Sequence, residues 1–60
     1  MKRRDLIKLL EENGFVFIRN GGNHDIYKRG EEKEVVERHY EIPEMLVRKI
    51  IKRRNLVKKN

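Results

Sequence analysis

Histidine is the only side chain in this sequence that is well suited to acid-base chemistry at neutral pH. The chain has no Ser, Thr or Cys, so Tyr27 and Tyr40 carry its only hydroxyls. Its carboxylates are scattered among basic residues and form no cluster resembling a metal cage. Two widely spaced His are too few for a dedicated zinc site. No phosphate-binding Gly-rich loop leads into a Lys and a Ser or Thr. Proton transfer therefore falls to His24 and His39, with neither a metal nor another cofactor called for.

His24 directly follows Gly21-Gly22-Asn23. The backbone N–H groups of such a turn can converge on an anion, because no side chain blocks the approach. A phosphate held by Gly22 and Asn23 would lie close to the imidazole. A histidine near its ordinary pKa can take a proton from a ribose 2′-hydroxyl and later return one. RNA brings its own nucleophile, so this is the hydrolytic chemistry the composition best supports. The plainer reading is that His24 is an exposed residue suited to turn geometry. His39, beside Arg38, reads as a strand-end residue or at most a phosphate contact.

Composition narrows the partners. Sixteen Lys and Arg against ten Asp and Glu leave a formal charge of +6. Such a surface attracts phosphates, acidic proteins or anionic membranes. The excess is uneven: Arg48, Lys49, Lys52, Arg53, Arg54, Lys58 and Lys59 follow one another with no acidic residue between them. Lys28, Arg48 and Lys52 are the expected contacts to an RNA backbone. No apolar run reaches the length of a signal sequence or membrane span, which reads as a soluble cytoplasmic protein. Sixty residues make one domain, 1–60. A chain of this size buries only about 60% of its unfolded surface, so a partner that binds the folded form would add needed stability.

The elements that must position these residues follow from periodicity. Leu6, Ile7, Leu9 and Leu10 share a helical face over about residues 3–13, and Asn13-Gly14 stops the helix. Phe15 to Ile18 forms a strand, with either Phe15/Phe17 or Val16/Ile18 facing the core. After the Asn20–Asn23 turn, His24 to Arg29 forms a second strand, with Ile26 on the face of His24 and Lys28 and Tyr27 opposite. Gly30 to Lys33 is a polar turn, and Glu34 to Tyr40 is the third strand. Pro43 opens a second helix ending near Asn55, although Ile42 is a poor cap for it. Its buried stripe is Leu46, Val47, Ile50 and Ile51, with Lys49, Lys52 and Arg53 outward. Leu56 and Val57 are placed to tuck back against the sheet. The fold class is α+β in the order α-β-β-β-α, a three-stranded antiparallel sheet with both helices on one face.

The helix leading to Asn13-Gly14-Phe15, followed by Gly22-Asn23-His24-Asp25-Ile26-Tyr27, resembles the HicA family of toxins. Arg38-His39-Tyr40-Glu41-Ile42 and a helix with Leu46, Arg48 and Ile50 are similar to its C-terminal half. The resemblance spans essentially the whole chain. It implies a double-stranded-RNA-binding-like fold, ribosome-independent cleavage of messenger RNA and neutralisation by a HicB-type antitoxin. The family's Gly-Ser-His motif falls on Gly22-Asn23-His24. Asn23 thus replaces Ser, and Asp25 stands where many members carry a second His.

Three rival readings compete. A non-catalytic double-stranded-RNA-binding module would begin its last helix with lysines, whereas this one begins Pro43-Glu44-Met45-Leu46. An interaction protein that reads DNA needs polar base-reading residues on that helix, and Asn55 is the first Asn or Gln there. A membrane-surface helix lacks an exposed aromatic anchor.

Overall fold

Leu6 and Leu10 lie one helical turn apart and are both buried, which holds Arg3–Glu12 (α1) against the sheet. A computed structural model describes residues 1–58. Asn13 closes α1, and Gly14 at φ +92° supplies the left-handed residue that reverses the chain. The chain continues through Val16–Asn20 (β1), His24–Arg29 (β2), Glu32–Glu37 (β3) and Glu44–Arg54 (α2). The three strands form an antiparallel sheet in the order β1-β2-β3. The predicted α-β-β-β-α order and open sheet are therefore observed.

Both helices cover the same sheet face. Leu6 and Leu10 of α1 and Val47 and Ile50 of α2 share one core with Phe15, Tyr27, Val36, Ile42 and Leu56. Alternation along β2 then turns Asp25, Tyr27 and Arg29 toward the helices and His24, Ile26 and Lys28 toward the open face. The side assignment predicted for β2 is the one observed.

Several boundaries differ from expectation. Phe15 precedes β1 rather than opening it, and it is fully buried, whereas Val16, Phe17 and Ile18 are each about half exposed. A bulge at Ile18, between Phe17 and Arg19, disrupts the simple alternation that either predicted face assumed. The second hairpin turn is only Gly30-Glu31, since Arg29 already pairs with Glu32. β3 therefore starts two residues early and ends at Glu37.

Beyond Arg38, whose N–H donates to Asn23 O, the segment from His39 to Ile42 leaves the sheet to pair with the N-terminus instead. Arg3 N–H donates to Tyr40 O at 2.8 Å, and Ile42 N–H to Met1 O at 2.8 Å. This pairing accounts for the poor cap. Ile42 is a core residue anchored by Met1, Pro43 takes the N-cap position, and Glu44 receives the Met1 amine at 2.6 Å. Leu46, predicted in the buried stripe of α2, is exposed. Leu56 tucks into the core, but Val57 does not.

Arginines hold the far end of the sheet. Glu34 is 4% exposed and accepts from Arg53 Nη2 at 3.0 Å and Arg54 Nε at 2.6 Å. Arg53, predicted to project outward, is half exposed and is also tied to β3 through Glu34. Arg29 stacks 4.6 Å over the Phe15 ring and donates to Asn13 O and Arg54 O, each at 3.0 Å. Its hydrogen bond to Glu32 holds that carboxyl below its ordinary range. Part of the C-terminal basic run therefore serves the fold. Lys59 lies outside the described residues.

Gly22 sits at φ +83° with open space around it, and Gly21 has no such strain. Gly22→Ala should therefore cost about 1 kcal/mol through backbone strain alone. That loss should lower the melting temperature by about 4–8 °C, while Gly21→Ala leaves it nearly unchanged. Paired thermal melts check this.

Candidate active site

His24 opens β2 on the uncovered face of the sheet and is half-buried there. Its cross-strand partner is Glu37. The chain from β1 folds back beside it: a methyl group placed on Gly21 would lie 4.0 Å from His24 Cδ2 and 3.7 Å from Ile26 Cδ1. This loop explains why Ile26 is buried although it faces away from the helices.

The turn before His24 is already hydrogen-bonded to itself. Gly21 N–H donates to His24 O at 2.7 Å, and Gly22 N–H to Asn20 Oδ1 at 2.8 Å. Asn23 O accepts from Arg38 N–H at 3.0 Å. Two of the three backbone donors of the expected Gly21-Gly22-Asn23 cradle are therefore already used within the turn. They fix the turn so that Asn23, which is exposed, and His24 are presented together. The role left to Gly22 is its positive φ.

Lys28 shares the face of His24, four residues along the same strand and roughly 13 Å away. It stands directly opposite Lys33 in the β2–β3 register, and Arg19 lies on the same face opposite Ile26. Like charges directly across a ladder are destabilising, and an anion lying between them would relieve the repulsion. Val16 and Val35 supply exposed apolar surface among these cations.

Arg48 and Lys52 are not brought to this site. They lie on the solvent side of α2, lining a groove with Glu44, Met45 and Lys49, while Val47 and Ile50 of the same helix face the core. The sheet separates them from His24. A second groove of about 540 Å³ lies along α1, with Leu9, Ile51 and Leu56 among its walls, and none of the predicted site residues lines it.

Sequence reasoning missed an ion-pair cluster beside His24. Asp25 turns under the sheet, where its side chain is 8% exposed. Arg3 Nη2 donates to Asp25 Oδ2, and Arg3 Nε to Glu37 O at 2.8 Å. Arg38 Nε lies 3.3 Å from Asp25 Oδ1. The cluster ties the start of α1 to both strands that carry the His24 end of the sheet. Its one legible signal was the Asp next to His24, since a carboxylate in a buried strand position requires a cation.

A histidine whose backbone is fixed by its turn on an open, basic face suits proton transfer on an extended anionic polymer better than on a small enclosed substrate. Among the described residues, no three His, Cys, Asp or Glu side chains form a group that could hold a metal ion. A family model described as the HicA toxin of bacterial toxin-antitoxin matches residues 3–56. The chain belongs to the HicA toxin family. No curated protein and no solved structure matches it. Membership makes this HicA protein the toxin of a toxin–antitoxin pair, which works opposite an antitoxin. No helix among the described residues is long and apolar enough to cross a membrane.

Proposed function

We propose that this HicA toxin is an endoribonuclease that cleaves messenger RNA without a metal, using His24 as general base and acid. The observation that carries the reading is the placement of His24, half-buried and fixed by its turn on the open basic face of a toxin-family fold. His24 takes the proton from a ribose 2′-hydroxyl as the 2′-oxygen bonds to phosphorus. The imidazolium returns the proton to the 5′-oxygen as the phosphorus–5′-oxygen bond breaks. The products are a 2′,3′-cyclic phosphate and a 5′-hydroxyl.

Asn23 donates its side-chain amide to the phosphate, and Gly22 provides the backbone geometry that presents it. Lys28 meets the RNA further along the strand. Arg48 and Lys52 would reach only RNA that passes around to the helical layer. The antitoxin is of HicB type and works by covering His24 and the basic face around it. Both proteins act in the cytoplasm, where messenger RNA is found.

RNA carrying 2′-O-methyl at every position tests the assignment. It should bind as unmodified RNA does and remain uncut, while the unmodified strand is cleaved. Cleavage of the methylated strand would refute 2′-hydroxyl attack. Binding of the unmodified strand without cleavage would instead make the protein a non-catalytic RNA-binding module.

A further inference from the structure

We infer that Arg19, Lys28 and Lys33 form a track for the backbone of a single-stranded RNA running away from His24; the inference rests on the ribonuclease reading above. Strand register places them. On the open face, successive rows of side chains lie about 6.6 Å apart, two residues along each strand. His24 and Glu37 make the first row. Ile26 and Val35 make the second, with Arg19 beside Ile26 on β1. Lys28 and Lys33 make the third, with Val16 beside Lys28. Successive phosphates of an extended RNA strand are spaced on the scale of one row. A strand with one phosphate at His24 therefore carries the next to Arg19 and a third to the two lysines.

Charge supplies the rest of the argument. Arg3, Arg29, Arg38, Arg53 and Arg54 are each paired with a carboxylate of the fold. Arg19, Lys28 and Lys33 make no ion pair among the described residues, and Arg19 and Lys33 are exposed. Lys28 and Lys33 face each other directly, an arrangement that costs stability until an anion joins them. Two acidic residues flank the track: Glu37 opposite His24 in the first row, and Glu31 in the turn beyond the third. With Glu31 set against the three cations, two positive charges remain at that end. The floor between them is Val16, Ile26 and Val35, which brings no carboxylate near the RNA backbone. None of the three rows holds a Phe, Tyr or Trp for a base to stack on, so the track grips backbone without reading sequence.

The test measures binding of fully 2′-O-methylated RNA, cleavage of unmodified RNA, and thermal melting for wild type, R19Q, K33Q, K33E and K8Q. R19Q and K33Q should each lower the slope of log affinity against log salt by about 0.7, the loss of one phosphate contact to a single strand. K8Q, on α1 in the helical layer, should leave the slope unchanged. K33E sets opposite charges across the ladder, so it should melt no lower than wild type while binding RNA more weakly than K33Q does. A dinucleotide with its one phosphate at His24 ends before the track, so both glutamine variants should cut it at the wild-type rate. On longer RNA they should lose through KM rather than kcat.

Slopes for R19Q and K33Q equal to wild type would overturn the inference and leave these cations to an acidic protein surface. An equal fall for K8Q would also overturn it, because binding would then be spread over the whole molecule. Binding without cleavage by wild type would defeat the catalytic reading while the slopes still judged the track. Cleavage that depends on His24, with unchanged slopes, would defeat the track and leave the catalytic reading standing.

Discussion

Replacing His24 with alanine should lower single-turnover RNA cleavage by at least about a thousandfold and leave the fold intact. The magnitude follows from the lack of a substitute. The chain has no Ser, Thr or Cys, and its other histidine, His39, is exposed in the segment after β3. One imidazole therefore performs both proton transfers. The fold should survive because His24 is outside the shared core and faces the open side of the sheet. Its turn is held by backbone groups and Asn20 rather than by the imidazole. Cleavage rates and thermal melts of the two proteins check both halves. A folded His24→Ala protein that cuts within about tenfold of wild type would move the chemistry away from His24.

The largest effect on stability is expected at Phe15. It is 1% exposed, and it packs in the core formed by both helices, β2, β3 and the segments around Ile42 and Leu56. Its ring also supports the Arg29 guanidinium, which bridges the end of α1 to the end of α2. Phe15→Ala should cost about 3–5 kcal/mol, from lost burial and the cavity left behind. A domain of this length has only roughly 3–9 kcal/mol in total, so much of the variant population should be unfolded at 37 °C. Phe15→Leu, which keeps most of the volume, should cost about 1–1.5 kcal/mol. Urea unfolding followed by circular dichroism measures both. A loss below about 1 kcal/mol for Phe15→Ala would mean that the core closes around the gap.

Local pattern was enough to place the elements and His24. Leu6 and Leu10 mark α1, Asn13-Gly14 its end, and the Asn/Gly turn the start of β2 with His24 at its head. Opposite faces for His24 and Asp25 followed from strand alternation. What pattern could not supply was pairing between distant segments. Arg3 and Asp25 are far apart in sequence, as are Arg53 and Glu34, and only the packed fold decides which cation meets which buried carboxylate. For the same reason the C-terminal basic run looked like free surface, although Arg53 and Arg54 are bound to Glu34.

Competing hydrogen bonds explain the other departures. Tyr40 and Ile42 have strand-like sequence surroundings, but their backbone groups pair with Arg3 and Met1 rather than continuing β3. The Gly21 and Gly22 N–H groups suited an anion in principle and are instead consumed by His24 O and Asn20 Oδ1. The sequence offered Gly22-Asn23-His24 as the candidate site, and the structure gives that segment other basic neighbours than those expected. Lys28 is on the face of His24 and Arg48 and Lys52 are not, because α2 turns Val47 and Ile50 inward and carries its lysines away from the sheet.

The most direct test of the account is the end chemistry of RNA cut by the purified protein in the presence of EDTA. Attack by the 2′-hydroxyl with His24 moving the proton predicts full activity in the chelator. It also predicts fragments ending in a 2′,3′-cyclic phosphate and beginning with a 5′-hydroxyl. Loss of cleavage in EDTA, or fragments beginning with a 5′-phosphate, would show attack by water under a different catalyst and would contradict it.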